Sequence, residues 1–139
     1  MNPSVRALID QTFGHLEQSK RMSIINLFFF LSGVDGNRSE TKLNYISDFC
    51  DALNVDAESS VYQYQSGGYP QLKSHLSILS NAQKELLVFS VFDLLGCDGK
   101  PTEKELNTMV QIFDQVGVDE DEIVAIMDKG ISLNRKFNF

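Results

Sequence analysis

The sequence predicts an all-α protein, and three observations support this fold class. The chain has 139 residues with 42% hydrophobic side chains, enough for one domain with a proper core. Its apolar residues recur at helical spacing along most of the chain. A shift of 63 positions aligns eleven identical residues within the 35 positions from 33 to 67. We therefore expect a single domain over 1–139, a helical bundle of about eight helices built from two tandem four-helix repeats, 4–66 and 67–129, with a tail at 130–139.

The first repeat contains four recognisable helical segments. An amphipathic helix is expected at about 4–17, and a second within 22–32 that is apolar nearly all round. Gly33 is expected to end that second helix in the left-handed conformation. Ser39 is a good N-cap for a third helix, and Asp56 for a shorter fourth helix. The all-round apolar helix should lie at the centre of the bundle.

The second repeat has the same order of elements and better caps. Its most apolar helix, at 82–95, is expected beside the helix at 22–32 in the shared interior. Thr102 and Glu105 have the spacing of a capping box, which the first repeat lacks because Lys42 stands where the acid is expected. An Asp-Gly turn follows each apolar helix. Whether the two turns meet is left open, since antiparallel helices of about 13 residues would hold them roughly 20 Å apart.

Charge and composition exclude several classes of function. The net charge of −7 argues against nucleic-acid binding, and 93–128 alone carries ten carboxylates against two lysines. The longest wholly apolar run, 27–31, is far too short to span a membrane, and no apolar run follows Met1, so we expect neither membrane insertion nor a signal peptide. The two cysteines lack metal-ligand spacing and are expected to be free, buried thiols in a reducing compartment, which favours a cytoplasmic location.

The segments around the two Asp-Gly turns resemble the TerB-like family, the tellurite-resistance module related to the N-terminal domain of DjlA-type co-chaperones. The matching residues are Asp98, Gly99, Thr102, Glu105 and Leu106, and in the first repeat Asp35, Gly36, Ser39 and Leu43. The resemblance covers roughly 20–130. It implies an all-α fold, an intracellular stress-linked or scaffold-like role, and a divalent-cation site of acidic side chains. Asp98 and Glu105 correspond to that site, and only Asp35 does so in the first repeat.

No catalytic motif is present, so we expect no enzymatic activity and no catalytic residues. An EF-hand is excluded, because placing Gly99 at its sixth position puts Leu94 and Gly96 at the first and third, where side-chain oxygens are required.

The acids near the turns allow two interpretations. A looser divalent-cation site would use Asp98, Glu103 and Glu105, with Asp35 from the first repeat, and this cation is the only cofactor the sequence suggests. In the other interpretation, each acid has a local role in a turn, a helix dipole or a cap.

Aromatic residues mark two candidate interaction sites. Three of the four tyrosines, Tyr62, Tyr64 and Tyr69, fall between the repeats, where they either form an interaction edge or cover the helix junction. In the tail, Phe137 and Phe139 follow basic residues, and the tail either docks on the bundle or is offered to a partner. We predict a non-enzymatic interaction or scaffold module with a protein partner, and a cation-binding or sensing protein as the alternative. The sequence leaves the oligomeric state undetermined.

Overall fold

Helices and their connecting turns make up the computed structural model of the chain. The structure describes residues 1–36 and 38–137, and it describes side chains through residue 129. Within those residues the regular elements are seven α-helices: α1 (Pro3–Phe13), α2 (Gln18–Ser32), α3 (Glu40–Leu53), α4 (Ala57–Ser77), α5 (Asn81–Gly96), α6 (Glu103–Gln115) and α7 (Glu120–Phe137). The predicted all-α class is confirmed. In this part of the chain, each helix is too short or too polar to cross a lipid bilayer.

The expected count of about eight helices is not confirmed for the described residues, because two of the expected helices are joined across a kink in α4. α4 spans the boundary that the predicted repeat places at 66–67. Gly68 departs from helical geometry, with φ 63° and ψ −164°, and kinks α4 at that boundary. Glycine adopts this backbone region because it has no Cβ. Pro70 stands just after the kink, where the second segment of α4 begins, and its missing N–H is tolerated there.

α2 and α5 form the centre of the bundle, as predicted for the helices at 22–32 and 82–95. They contact each other, and between them they contact each of the other described helices. The fully buried apolar side chains of these two helices are Ile24, Ile25, Leu27, Phe28, Leu31, Leu87, Val88, Val91, Leu94 and Leu95. A helix that is apolar on all sides is stable only where neighbours surround it. Truncating one of these side chains to alanine should cost about 2–5 kcal/mol.

The predicted N-caps are confirmed. Ser39 Oγ accepts the Lys42 backbone N–H over 3.1 Å, and Asp56 Oδ2 accepts that of Ser59 over 2.9 Å. The Thr102 capping box is also present, as both of its reciprocal hydrogen bonds form. The structure adds a second capping box that begins at Ser80.

Two helix ends differ from expectation. α1 ends at Phe13, four residues before its expected end, and Gly14 closes it with right-handed helical φ/ψ and an N–H that donates to the Asp10 carbonyl oxygen. Gly33 ends α2 with φ −101° and is not left-handed. Instead, the Arg38 guanidinium lies over this end of α2, and its Nη2 donates to the Phe29 carbonyl oxygen over 2.6 Å. A Cβ on Gly33 would meet Arg38 Nη2, so a larger residue there would require the end of this side chain to shift.

Candidate functional site

Each Asp-Gly turn contacts the start of the helix that follows the other turn. Thr102 Oγ1, at the start of α6, donates a hydrogen bond to Asp35 Oδ2 over 2.8 Å. Lys42 Nζ, in the first turn of α3, lies 2.7 Å from Glu105 Oε2 and 3.8 Å from Asp98 Oδ1. The turn that follows α2 is therefore in contact with the start of α6, and the turn that follows α5 is in contact with α3. We call Asp35, Lys42, Asp98, Thr102 and Glu105 the turn cluster.

The Lys42–Glu105 ion pair at its centre is buried. The two side chains are only 7% and 2% exposed. Burial disfavours the charge of Lys42 and is the largest single influence on its pKa. The hydrogen bond to Glu105, together with the charges of Glu105 and Asp98, outweighs burial, so the pKa of Lys42 is raised. Glu105 Oε1 also accepts the Thr102 backbone N–H over 2.9 Å, so both carboxylate oxygens are bonded. The ion pair is a fixed link between α3 and α6.

The four acids predicted for a cation site have different surroundings. Asp35 is bonded to Thr102, Glu103 is exposed, and Asp98 and Glu105 flank the Lys42 ammonium group. Within the described part of the chain, there is no group of three or more His, Cys, Asp or Glu that could hold a metal ion. Two of the predicted metal ligands, Asp98 and Glu105, thus face the Lys42 ammonium group.

Beside the turn cluster, burial suppresses ionisation of several groups. Burial raises the pKa of Asp93, partly offset by a hydrogen bond with Tyr45, and burial also raises the pKa of Tyr45 well above its usual value. Burial and the charges of Asp98 and Asp93 raise the pKa of Cys97. A thiol with a raised pKa is a poor nucleophile at neutral pH. Cys97 is therefore not activated for covalent chemistry.

The three tyrosines between the repeats have separate roles in the structure. Tyr69 packs inward: its hydroxyl donates to Gln115 Oε1, and its ring centroid lies 6.4 Å from that of Phe30. Tyr64 is partly buried in the wall of a cleft, and Tyr62 is 71% exposed on α4. Tyr62 is thus the one of the three that is most available to a partner.

The other two predicted interaction residues cannot be placed in the same way. Phe139 and the side chain of Phe137 lie outside the described residues.

An apolar surface extends over α2 and α4. A cleft of about 350 Å³ between these helices is lined by Asn26, Phe29, Phe30, Arg38, Val61 and Tyr64. An adjoining depression of about 410 Å³ shares Phe29 and Val61 with it and continues over α4 past Ala57, Glu58, Tyr62 and Gln65. We call this pair of depressions the α2–α4 surface. Phe30 and Val61 are 41% and 40% exposed, so large apolar groups reach solvent on both helices.

Sequence reasoning assigned the apolar residues of α2 to the core and so missed Phe30 and the cleft beside it. A signal was present in the run Phe28, Phe29 and Phe30. Successive helical residues are about 100° apart, so three in a row span roughly 200° of the helix surface. One member of such a run faces outward unless neighbours surround the helix completely.

No family model matches the chain, and no solved structure gives a significant match. The resemblance to the TerB-like family stays a prediction. The two features that bear on function are the turn cluster, whose charges are paired internally, and the α2–α4 surface, whose apolar groups are open to solvent.

Proposed function

We propose that this chain is a non-enzymatic, cytoplasmic interaction module of the TerB-like kind that binds a partner protein through the α2–α4 surface. The observation that carries the proposal is the exposure of Phe30, Val61 and Tyr62 along two adjoining depressions, both of which Val61 lines. Contiguous exposed apolar groups favour association, and aromatic side chains are enriched at protein interfaces. The turn cluster serves this module as a rigid support, because its buried ion pair fixes α3 against α6.

We also propose that the chain arose by tandem duplication of a four-helix unit, 4–66 and 67–129. Positions 42 and 105, which the shift of 63 aligns, form the buried ion pair. Asp35 contacts Thr102, whose aligned counterpart is Ser39, the N-cap of α3. Contacts between aligned positions are expected where two related units pack about an approximate twofold axis. The kink at Gly68 lies beside the boundary between the units.

The test uses two double variants, first as baits that capture a partner protein and then as purified proteins whose affinity for that partner is measured. Val61→Ser with Tyr62→Ser removes exposed apolar groups from the α2–α4 surface. The control, Ile78→Ser with Val124→Ser, removes apolar groups that are 64% and 55% exposed elsewhere. Val124 is also the aligned counterpart of Val61.

We expect a partner retained by the wild type and by the control bait to be lost from the surface variant. With that partner purified, calorimetry should show at least tenfold weaker binding to the surface variant only. A partner that binds all three proteins with equal affinity would refute the assignment of the interface.

The alternative, a divalent-cation protein using Asp98, Glu103 and Glu105, also remains to be tested, although no contact in the turn cluster favours it. A cation there would have to displace the Lys42 ammonium from Asp98 and Glu105. If the alternative holds, calcium or magnesium at millimolar concentration raises the melting temperature, and Asp98→Asn abolishes the increase. An unchanged melting temperature would end it.

A further inference from the structure

We infer that the α2–α4 surface binds an acidic, apolar peptide segment of the partner, with the carboxylate of an Asp or Glu held by Arg38 and Asn26. The inference rests on the proposed function and adds the chemistry of the partner. Three features of the cleft support it: an amide without a partner, a cation without a carboxylate, and aromatic walls.

Asn26 is the amide. It lines the cleft and is only 5% exposed, and its carboxamide makes no hydrogen bond to the residues whose side chains the structure describes, 1–36 and 38–129. Its oxygen and nitrogen are not among the fully buried side-chain atoms that lack a partner, so both keep some accessible surface. A ligand in the cleft that bonds to this carboxamide would supply a partner.

Arg38 is the cation, and its position is fixed. Nε donates to Ser32 Oγ over 2.8 Å and Nη2 to the Phe29 carbonyl oxygen over 2.6 Å, while the guanidinium carbon lies 5.5 Å from the centre of the Phe29 ring. Among the described residues, no carboxylate pairs with it. A guanidinium group has five donors, so the Nη1 donors remain for a carboxylate. Because the group is already ordered, little side-chain entropy is lost on binding.

The walls and the adjoining depression indicate a peptide. Phe29, Phe30, Val61 and Tyr64 offer apolar contacts beside Arg38. The surface then continues over α4 beyond the first cleft, as expected for an elongated ligand such as a peptide segment laid in a groove. Glu58 lies in the second depression, so the surface is basic at one end and acidic at the other. A segment with its acid toward Arg38 is attracted, and the reverse orientation places its acid against Glu58.

The experiment reverses the charge of a single introduced side chain. Val61 lines both depressions and is 40% exposed, so Val61→Lys and Val61→Glu should both fold and should change the field in the cleft in opposite directions. Val124→Lys and Val124→Glu are the matched controls at the aligned position. The probe is a random 16-residue phage-displayed peptide library selected on the full wild-type chain, followed by fluorescence anisotropy of the enriched peptides.

We expect enriched peptides to carry Asp or Glu beside a large apolar side chain. Val61→Glu should weaken their binding at least tenfold, Val61→Lys should maintain or tighten it, and the two Val124 variants should match the wild type. Arg38→Gln should also weaken binding at least tenfold. Enriched peptides without an acid, or equal affinity for both Val61 charge variants, would overturn the inference.

The outcomes separate this inference from the proposed function. If the peptides are indifferent to charge but lose affinity for the Val61→Ser, Tyr62→Ser protein, the interface stands and the carboxylate assignment fails. If peptides bind every variant equally, or none is enriched, both fail. Phenylacetate tests whether the ligand is a small molecule and not a peptide. If it displaces the peptides and binds as tightly as they do, the ligand is a small carboxylate and the peptide assignment is overturned.

Discussion

At the scale of single residues, the pairing of Lys42 with Glu105 explains why the capping-box acid at position 105 has no acidic counterpart 63 positions earlier. Lys42 Nζ and Glu105 Oε2 lie 2.7 Å apart in a buried site. Acids at both positions would place two buried carboxylates together, and one of them would have to be protonated. Opposite charges satisfy the site, because a lysine at position 42 supplies the counter-charge that Glu105 needs.

Removing one partner of this ion pair should be costly. We expect Lys42→Met to lower the free energy of unfolding at pH 7 by about 3–5 kcal/mol, because Glu105 is left buried without its counter-charge. Glu105→Gln added to that variant should restore most of the loss, since glutamine is neutral and also serves in a capping box. Urea unfolding of the two variants measures both effects. A loss below about 1 kcal/mol for Lys42→Met would show that the ion pair is exposed in solution.

Cys50 should make the protein less stable in alkali. Burial, helped by the charges of Asp51 and Asp56, raises the pKa of this thiol to about 11 from a usual value of 9.0. In the unfolded chain the thiol ionises near pH 9 and in the folded protein it stays protonated to higher pH. The contribution of this thiol to the free energy of unfolding is therefore fully present below pH 9 and is lost as the pH rises through 11.

At pH 11, the loss of the Cys50 contribution lowers the free energy of unfolding by about 2 kcal/mol. Cys50→Ala should be less stable at pH 7 because of the cavity, but its stability should fall less between pH 9 and 11. Urea midpoints measured across that range for both proteins decide the point, and parallel curves would contradict it. Burial also raises the pKa values of Tyr45 and Cys97, so the variant keeps part of the alkaline loss.

At the scale of helices, local chemistry was predictable and tertiary contacts were less so. The caps at Ser39, Asp56 and Thr102 depend on neighbours within three residues, and all three are present. The end of α2 was mistaken because its closing contact comes from Arg38, beyond the turn. The α2–α4 surface was missed for a similar reason: the period of an all-round apolar helix does not show which side its neighbours leave open.

The cap of α6 should contribute more than the cap of α3, although both are hydroxyl side chains that accept an N3 backbone N–H. Thr102 additionally donates to Asp35 across the turn cluster, whereas Ser39 makes no side-chain hydrogen bond besides its cap among the described residues. We expect Ser39→Ala to cost about 1 kcal/mol and Thr102→Ala about 2 kcal/mol in urea unfolding. Asp35→Ala should remove the difference, and equal losses for the two alanine variants would mean that the Asp35 contact contributes nothing.

At the scale of the whole molecule, the two halves of the chain share one interior. α2 from the first half contacts α5 and α6 from the second, and α5 contacts α1 and α3 of the first. The acids and the base of the turn cluster also come from both halves. Neither half can cover its own central helix, because part of the apolar surface of each central helix is covered by the other half.

It follows that neither half should fold alone. We expect the fragment of residues 1–67 to show low helicity by circular dichroism and no cooperative thermal transition, because exposing α2 on the side of α5 forfeits a large part of its apolar burial. The fragment of residues 68–139 should behave in the same way, since α5 loses α1, α2 and α3. Mixing the two at equal concentration should restore helicity in proportion to complex formation, whereas the intact chain serves as the control with a single transition. A cooperative melt of the 1–67 fragment by itself would show that the units are independent domains that merely touch. In that case the buried Lys42–Glu105 pair would be an interface contact and its removal would separate two folded halves.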